Sequence, residues 1–244
     1  MKHLHLKILL MRHGETWDNQ AQRMQGQRDR DPAALALACR ATELSGSGQQ
    51  QVLALGGRLG QRLKTAQVLP QIYASPLRRS RETVALLAET CFGPTGLGPT
   101  VPLAIHYDER LAEIDLGIFS GLTWPEAEAR YPALCQTLLS QLDAYPVPEA
   151  ETPQHCHQRA EAFVQALVWN SSESSEIWIV THAGILAHLV AAILGSDRTW
   201  GMAIAPTALF EFELNRDRWL LATERLNPAL WTIHHFNDTA HLGG

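Results

Sequence analysis

Two histidines stand at equivalent places in the chain. His13 follows the apolar run Lys7 to Met11, and His182 follows Ile177 to Val180, so each lies just past the carboxyl end of a predicted strand, where open α/β sheets bind ligands. Arg12 stands beside the first. An arginine offers an anion a planar fork of N–H donors, and an imidazole can attack, donate a hydrogen bond or move a proton near neutral pH. A lone histidine at a strand end is more often structural. Two of them, 169 residues apart (182 − 13) and one with an adjacent arginine, mark a site that the fold assembles. The chain carries 20 Lys+Arg against 25 Asp+Glu, a net charge of −5. That balance gives no basic field for a nucleic-acid backbone, so any anionic ligand is met by a few local cations.

The elements that must position these residues alternate between strand and helix, which predicts helices covering a mostly parallel sheet. After the first strand, Val52, Leu55, Leu59 and Leu63 recur at helical spacing, and Gln71 to Ala74 reads as a short strand ending at Ser75-Pro76. A helix is expected from about Arg78 to Glu89, and a strand over Ala104 to Tyr107. Thr123-Trp124-Pro125-Glu126 has the form of a capping box with proline in the first turn, opening one helix with Ala127, Tyr131, Leu134 and Leu138 inward. Another helix runs from Pro153 to Trp169. The strand at Ile177 leads into a helix carrying Ile185, Leu186, Leu189, Val190 and Ile193. Two last strands, about Ala208 to Leu214 and Trp219 to Leu226, flank Asn215 to Arg218 as a hairpin turn. The segment from Asp29 to Gly48 has weak periodicity and reads as a surface loop or short helix. The whole is expected to be one domain over residues 1–244, a three-layer α/β/α sandwich with a mostly parallel central sheet.

Further motifs resemble the histidine phosphatase superfamily, the phosphoglycerate-mutase-like enzymes. Arg12-His13-Gly14-Glu15-Thr16 matches the start of its signature, with Asn19, Gln25 and Gly26 at the family spacing. Ser75 to Thr83 resembles its second arginine motif, with Arg79 the matching arginine. Leu111 to Gly117, with Gly121 after it, is similar to the acid-bearing segment, and Thr181-His182-Ala183-Gly184 to the second histidine motif. The resemblance implies a phosphohistidine mechanism without metal or other cofactor. Arg12 and Arg79 would grip phosphoryl oxygens, His13 would attack while unprotonated, and His182 would donate to the transition state. Glu113 would protonate the leaving oxygen and then activate water, with Asp115 and Glu109 as rivals. Asn19, Gln25, Gly26 and Ala183 would complete the substrate contacts. Arg78 and Arg81 compete with Arg79, but on a helix beginning at Arg78 both point elsewhere.

Three functions compete: a phosphatase, a mutase using the same intermediate, and a phosphate-binding module without catalysis. Only Leu122 to Glu149 separates Gly121 from the next predicted helix, which is compact for the insertion of a mutase, and the presence of His13 and Glu113 exceeds what mere capture needs. A phosphatase of small phosphomonoesters is therefore expected. Its partner would be a small phosphorylated metabolite, neither nucleic acid nor membrane, with homodimerisation left open. The link after Gly26 departs from the family pattern, running about a dozen residues longer before Leu44-Ser45, and is read as a lid or specificity loop at about 29–48. His155-Cys156-His157 lacks a partner pair at zinc-site spacing, so no metal is expected. Cys39, Cys91, Cys135 and Cys156 show no paired spacing, and the longest apolar stretch, Ala183 to Gly195, falls well short of the roughly 20 residues that span a bilayer. A cytoplasmic protein with reduced thiols is expected.

Overall fold

The computed structural model describes residues 5–30, 40–64, 69–93, 104–141, 146–171, 176–221 and 227–243. Six strands form one sheet in the order β3-β2-β4-β1-β5-β6. They are β1 His5–Arg12, β2 Gln71–Ala74, β3 Ile105–Tyr107, β4 Glu176–Thr181, β5 Leu209–Asn215 and β6 Trp231–Asp238. The first four run parallel; β5 and β6 add an antiparallel edge. Among the described residues the helices are α1 Trp17–Gln20, α2 Gly46–Leu63, α3 Arg78–Phe92, α4 Trp124–Arg130, α5 Pro132–Ser140, α6 Pro153–Asn170, α7 Ala183–Leu194 and α8 Arg216–Leu221.

Period-two alternation in the central strands builds the three layers. Along β1, Leu6, Ile8 and Leu10 join the core beneath α6 and α7, while Leu9 and Met11 join the core beneath α2 and α3. Both faces of the strand are thus buried, as expected of a parallel sheet covered on two sides. A third, smaller core of Phe119, Leu122, Ala127 and Cys135 holds α4 and α5 together beside the carboxyl ends of the strands. This unit hangs on the loop after α1, through the Arg23–Thr123 bridge and the Met24 N to Leu122 O bond of 2.9 Å.

Two expectations are corrected. The single helix expected from Thr123 is two helices, because Pro132 disfavours a helical conformation at the residue before it, and Tyr131 sits at φ −133° between α4 and α5. The capping box of Thr123 and Glu126 is present as read. The hairpin about Asn215 to Arg218 is not formed: Asn215 ends β5, and Arg216–Leu221 form α8, whose first turn Asn215 caps by accepting from the Arg218 N–H. Of the strand expected over Trp219 to Leu226, residues 222–226 lie outside the described residues. Trp219 is thereby carried into the core, where its indole N–H donates to Ile193 O at 3.0 Å. The strand that pairs with β5 is β6, further along the chain. Of the segment read as a lid, residues 31–39 lie outside the described residues; its last part already belongs to α2, with Ser45 as N-cap.

Candidate active site

Sheet register brings the two histidines together. Arg12 pairs with Thr181 across β1 and β4, so the next residues, His13 and His182, leave adjacent strand ends side by side, with ring centroids 5.1 Å apart. On the other side of β4, β2 is followed by Ser75, whose N–H donates to Val180 O at 3.0 Å, and the chain turns into α3 with Arg79 in its first turn. Three parallel strands therefore deliver Arg12-His13, His182 and Arg79 to one rim. The chamber there has a volume of about 150 Å³ and is lined by Arg12, His13, Asn19, Gln25, Gly26, Arg79 and Glu113 together with Arg23, Ile114, Leu116 and Gly184.

His13 is buried, and its Nδ1 lies 2.7 Å from Gly14 O. A carbonyl accepts only, so Nδ1 carries the proton and Nε2 keeps its lone pair. That lone pair accepts from Arg79 Nε at 3.2 Å. Burial pushes the His13 pKa well below the usual histidine value, and the adjacent Arg79 and Arg12 push the same way. The imidazole is neutral at pH 7.

His182 is fully buried. Its Nε2 lies 2.7 Å from Ser75 Oγ and 3.4 Å from Ser80 Oγ, while its Nδ1 has no partner among the described residues. In the tautomer where a serine hydroxyl donates to Nε2, the proton sits on Nδ1; His182 itself is not among the residues that line the chamber. Burial, then Arg79 and His13, drive its pKa well down, so this imidazole is neutral too.

Arg12 donates through Nη1 to Ile204 O, and its buried Nε is unpartnered among the described residues. Arg79 donates through Nη2 to Gly26 O at 2.9 Å. Gly26 has φ +52°, and a Cβ there would lie 3.0 Å from Ser120 Oγ, which is why the turn that presents this carbonyl uses glycine. Asn19 and Thr16 form a reciprocal cap of α1, with Asn19 Oδ1 accepting from the Thr16 N–H, and Gln25 Nε2 donates to Thr16 Oγ1 at 2.7 Å. Both amides reach the chamber while bracing its wall.

Glu113 is held at the amino end of α7. Its Oε1 accepts from Ile185 N at 3.1 Å and its Oε2 from Gly184 N at 3.3 Å. His182 is the N-cap of that helix and supplies no side-chain cap; the Glu113 carboxylate fills that role on the positive end of the helix. The rivals stand elsewhere: Glu109 is exposed and pairs with Arg30, and Asp115 accepts from Gly117 N at 2.9 Å in a neighbouring cavity. Arg78 pairs with Glu43 and Glu82, and Arg81 lies over the Tyr107 ring, so α3 turns only Arg79 into the chamber. Ala183 does not line the chamber; Gly184 does.

Several residues escaped the sequence reading. Gln27 Nε2 donates to Glu113 O at 2.7 Å, and Arg159 on α6 donates to the carbonyls of Arg110, Ala112 and Glu113, so the acid-bearing segment is braced from both sides. Asp29 pairs with Arg79. None of the three had a readable signal of its own; Arg159 is indistinguishable from a solvated helix charge until the fold places it.

Comparison with known proteins agrees with this geometry. Residues 8–227 match the model of the histidine phosphatase superfamily, branch 1. The chain belongs to the histidine phosphatase superfamily. Relatives of this member of the superfamily include a metal-independent phosphoserine phosphatase of Arabidopsis thaliana, 26% identical over 97% of this chain and 83% of the relative. A probable phosphoglycerate mutase, GpmB, of Erwinia tasmaniensis is 26% identical over 97% of this chain and 95% of its own. Among solved structures, a mycobacterial glucosyl-3-phosphoglycerate phosphatase in complex with VO3 superimposes with a TM-score of 0.67 at 25% identity, covering 95% of this chain and 98% of its own. Bacillus stearothermophilus YhfR superimposes with a TM-score of 0.70 at 26% identity over 97% of this chain and 99% of its own. No helix among the described residues is long and apolar enough to cross a membrane.

Proposed function

We propose that this chain hydrolyses a small phosphomonoester through a phosphohistidine formed on His13 Nε2. One observation carries the reading: a buried, neutral imidazole whose Nδ1 proton is committed to Gly14 O, leaving the Nε2 lone pair in contact with the Arg79 guanidinium. A phosphomonoester dianion repels anionic nucleophiles, so attack by a neutral nitrogen between two guanidinium groups suits it. Arg12 Nε and His182 Nδ1, both buried and without a partner among the described residues, are the two further donors assigned to the transferring phosphoryl oxygens. As the phosphoryl group approaches, it takes the Arg79 donor that otherwise occupies Nε2. The Nε2–P bond forms as the ester P–O bond breaks, and Glu113 gives its proton to the leaving oxygen. Glu113, now ionised, is stabilised by the N–H groups of Gly184 and Ile185 and takes a proton from the water whose oxygen bonds to phosphorus as the Nε2–P bond breaks. This step releases inorganic phosphate, restores the His13 lone pair and returns Glu113 to its protonated form. The guanidinium groups supply the positive charge that a metal ion provides in other phosphatases.

The chamber of about 150 Å³ is suited to the phosphoryl group itself, with Ile114 and Leu116 among its walls to meet the apolar part of an ester. The phosphatase names among the relatives support hydrolysis, and the compact stretch from Leu122 to Glu149 makes the mutase reading less favoured. The test is a panel of phosphomonoesters with chelator present, read as inorganic phosphate released and repeated with His13→Ala. Hydrolysis by the parent and none by the variant is expected. Activity that chelation abolishes and a divalent cation restores would contradict the reading.

A further inference from the structure

We propose that Asp29 is a positioning residue of this site, holding the Arg79 guanidinium in the plane the phosphoryl group needs while closing the amino end of α3. The proposal rests on the phosphatase reading above. It concerns a residue at the start of the segment whose sequence showed only weak periodicity.

Asp29 lies in the 3-10 turn Arg28–Arg30. Its side chain and that of Arg79 are 2% and 1% exposed, so the pair they form is sealed from water. Each carboxylate oxygen has its own partner: Oδ1 accepts from Arg79 Nη1 at 3.3 Å and Oδ2 from the backbone N–H of Arg78 at 2.8 Å. The second bond matters because Leu77, the N-cap residue of α3, has no side chain that can cap. A carboxylate 49 residues earlier in the chain does it instead, so one side chain fixes both where the helix begins and where its first inward arginine points.

The guanidinium is then held at three corners, by the Asp29 carboxylate at Nη1, the Gly26 carbonyl at Nη2 and the His13 lone pair at Nε. Two of its five N–H groups stay committed to Asp29 and Gly26 among the described residues, the Nε donor passes from His13 to the phosphoryl group, and the orientation of all three donors left for the ligand is set before it arrives. Such preorganisation favours the transition state. It has an electrostatic cost: a carboxylate beside the phosphate-binding arginine weakens the ground-state attraction for a dianion. Positioning therefore predicts opposite effects on turnover and on phosphate binding when the charge is removed, which a purely structural role would not produce.

The variant is Asp29→Asn, which removes the charge and sets an NH2 donor in place of one of the two carboxylate oxygens, against either the Arg79 Nη1 or the Arg78 N–H donor. Expected are a fall in kcat of tenfold or more and a Kd for inorganic phosphate, by calorimetry, that stays level or tightens. A phosphate Kd that weakens in step with kcat and with the thermal midpoint would make Asp29 structural and overturn the proposal, as would unchanged kcat. A double-mutant cycle adds the coupling: on an Arg79→Ala background, Asp29→Asn should cost no further kcat/KM on p-nitrophenyl phosphate, and additive losses would overturn the proposal. If Asp29→Asn fails to fold, Asp29→Glu keeps charge and both acceptors but displaces them; it should bind phosphate and lose kcat, and full kcat would refute positioning. The calorimetric arm reads Asp29 even if no ester is turned over, so failure of the phosphatase reading is seen separately, in the parent protein.

Discussion

Replacing Gly184 by alanine separates activity from stability. The φ of Gly184 is not in the left-handed region, so alanine fits the backbone, and at the second position of α7 it would raise helix propensity by up to about 1 kcal/mol. The new methyl group, however, would lie 2.6 Å from Glu113 Oε1 and 2.8 Å from Ile114 Cδ1, against an ordinary contact of 3.4 Å or more. Glu113 must retreat by about 0.8 Å (3.4 − 2.6) from the new methyl group, which disturbs its bonds to the N–H groups of Gly184 and Ile185. Displacement of a reacting group by about 1 Å costs on the order of 10²-fold in rate. The loss should depend on the leaving group. An alkyl phosphate, whose alkoxide needs the Glu113 proton, should lose about 10²-fold in kcat/KM. A p-nitrophenyl ester, whose phenolate leaves unprotonated, should lose far less in the burst of phenol. Steady-state and rapid-quench rates on both esters, beside a thermal melt, are the assay. Equal losses on the two esters, or full activity on both, would refute the placement of Glu113 as acid.

Other outcomes follow from the same geometry. Glu113→Gln should accumulate an acid-labile, base-stable phosphoenzyme from p-nitrophenyl phosphate, with an initial burst of nitrophenol; a uniform loss without burst would return attention to Asp115 or Glu109. His13→Ala should abolish turnover with circular dichroism intact, whereas His182→Ala should keep a reduced rate, lower by about 10²–10³ as for loss of one transition-state donor; equal residual rates would remove the distinction. Burial, the largest cause in each case, lowers the pKa of His13, His182, His188 and His241 in the folded protein, that of His188 to about 4. The unfolded chain therefore takes up more protons than the folded one as pH falls below about 6.5. The urea midpoint should drop between pH 7.5 and 5.5, and a midpoint that rises over that interval would contradict the neutral, buried imidazoles.

What the sequence made legible follows from local physics. The runs at β1 and β4 and the apolar spacing of α2 and α7 identified the layers, because burial on a covered sheet imposes those patterns on nearby residues. Arg12, His13, Glu113 and His182 could be picked out because strand ends and short motifs travel with them. Asp29 and Arg159 could not, since each acts on a partner brought near only by the tertiary fold. The hairpin expected near Asn215 failed for a related reason: Asn215 suits a turn and a helix N-cap equally, and the indole of Trp219 reaching Ile193 O decides between them.

Trapping the intermediate tests the central claim most directly. Acid-free denaturing quench of the enzyme during turnover of a p-nitrophenyl ester, followed by peptide mass spectrometry at alkaline pH, should place one phosphoryl group on His13, absent in His13→Ala. A phosphoryl group on any other residue, or turnover by the His13→Ala protein at the parent rate, would contradict it.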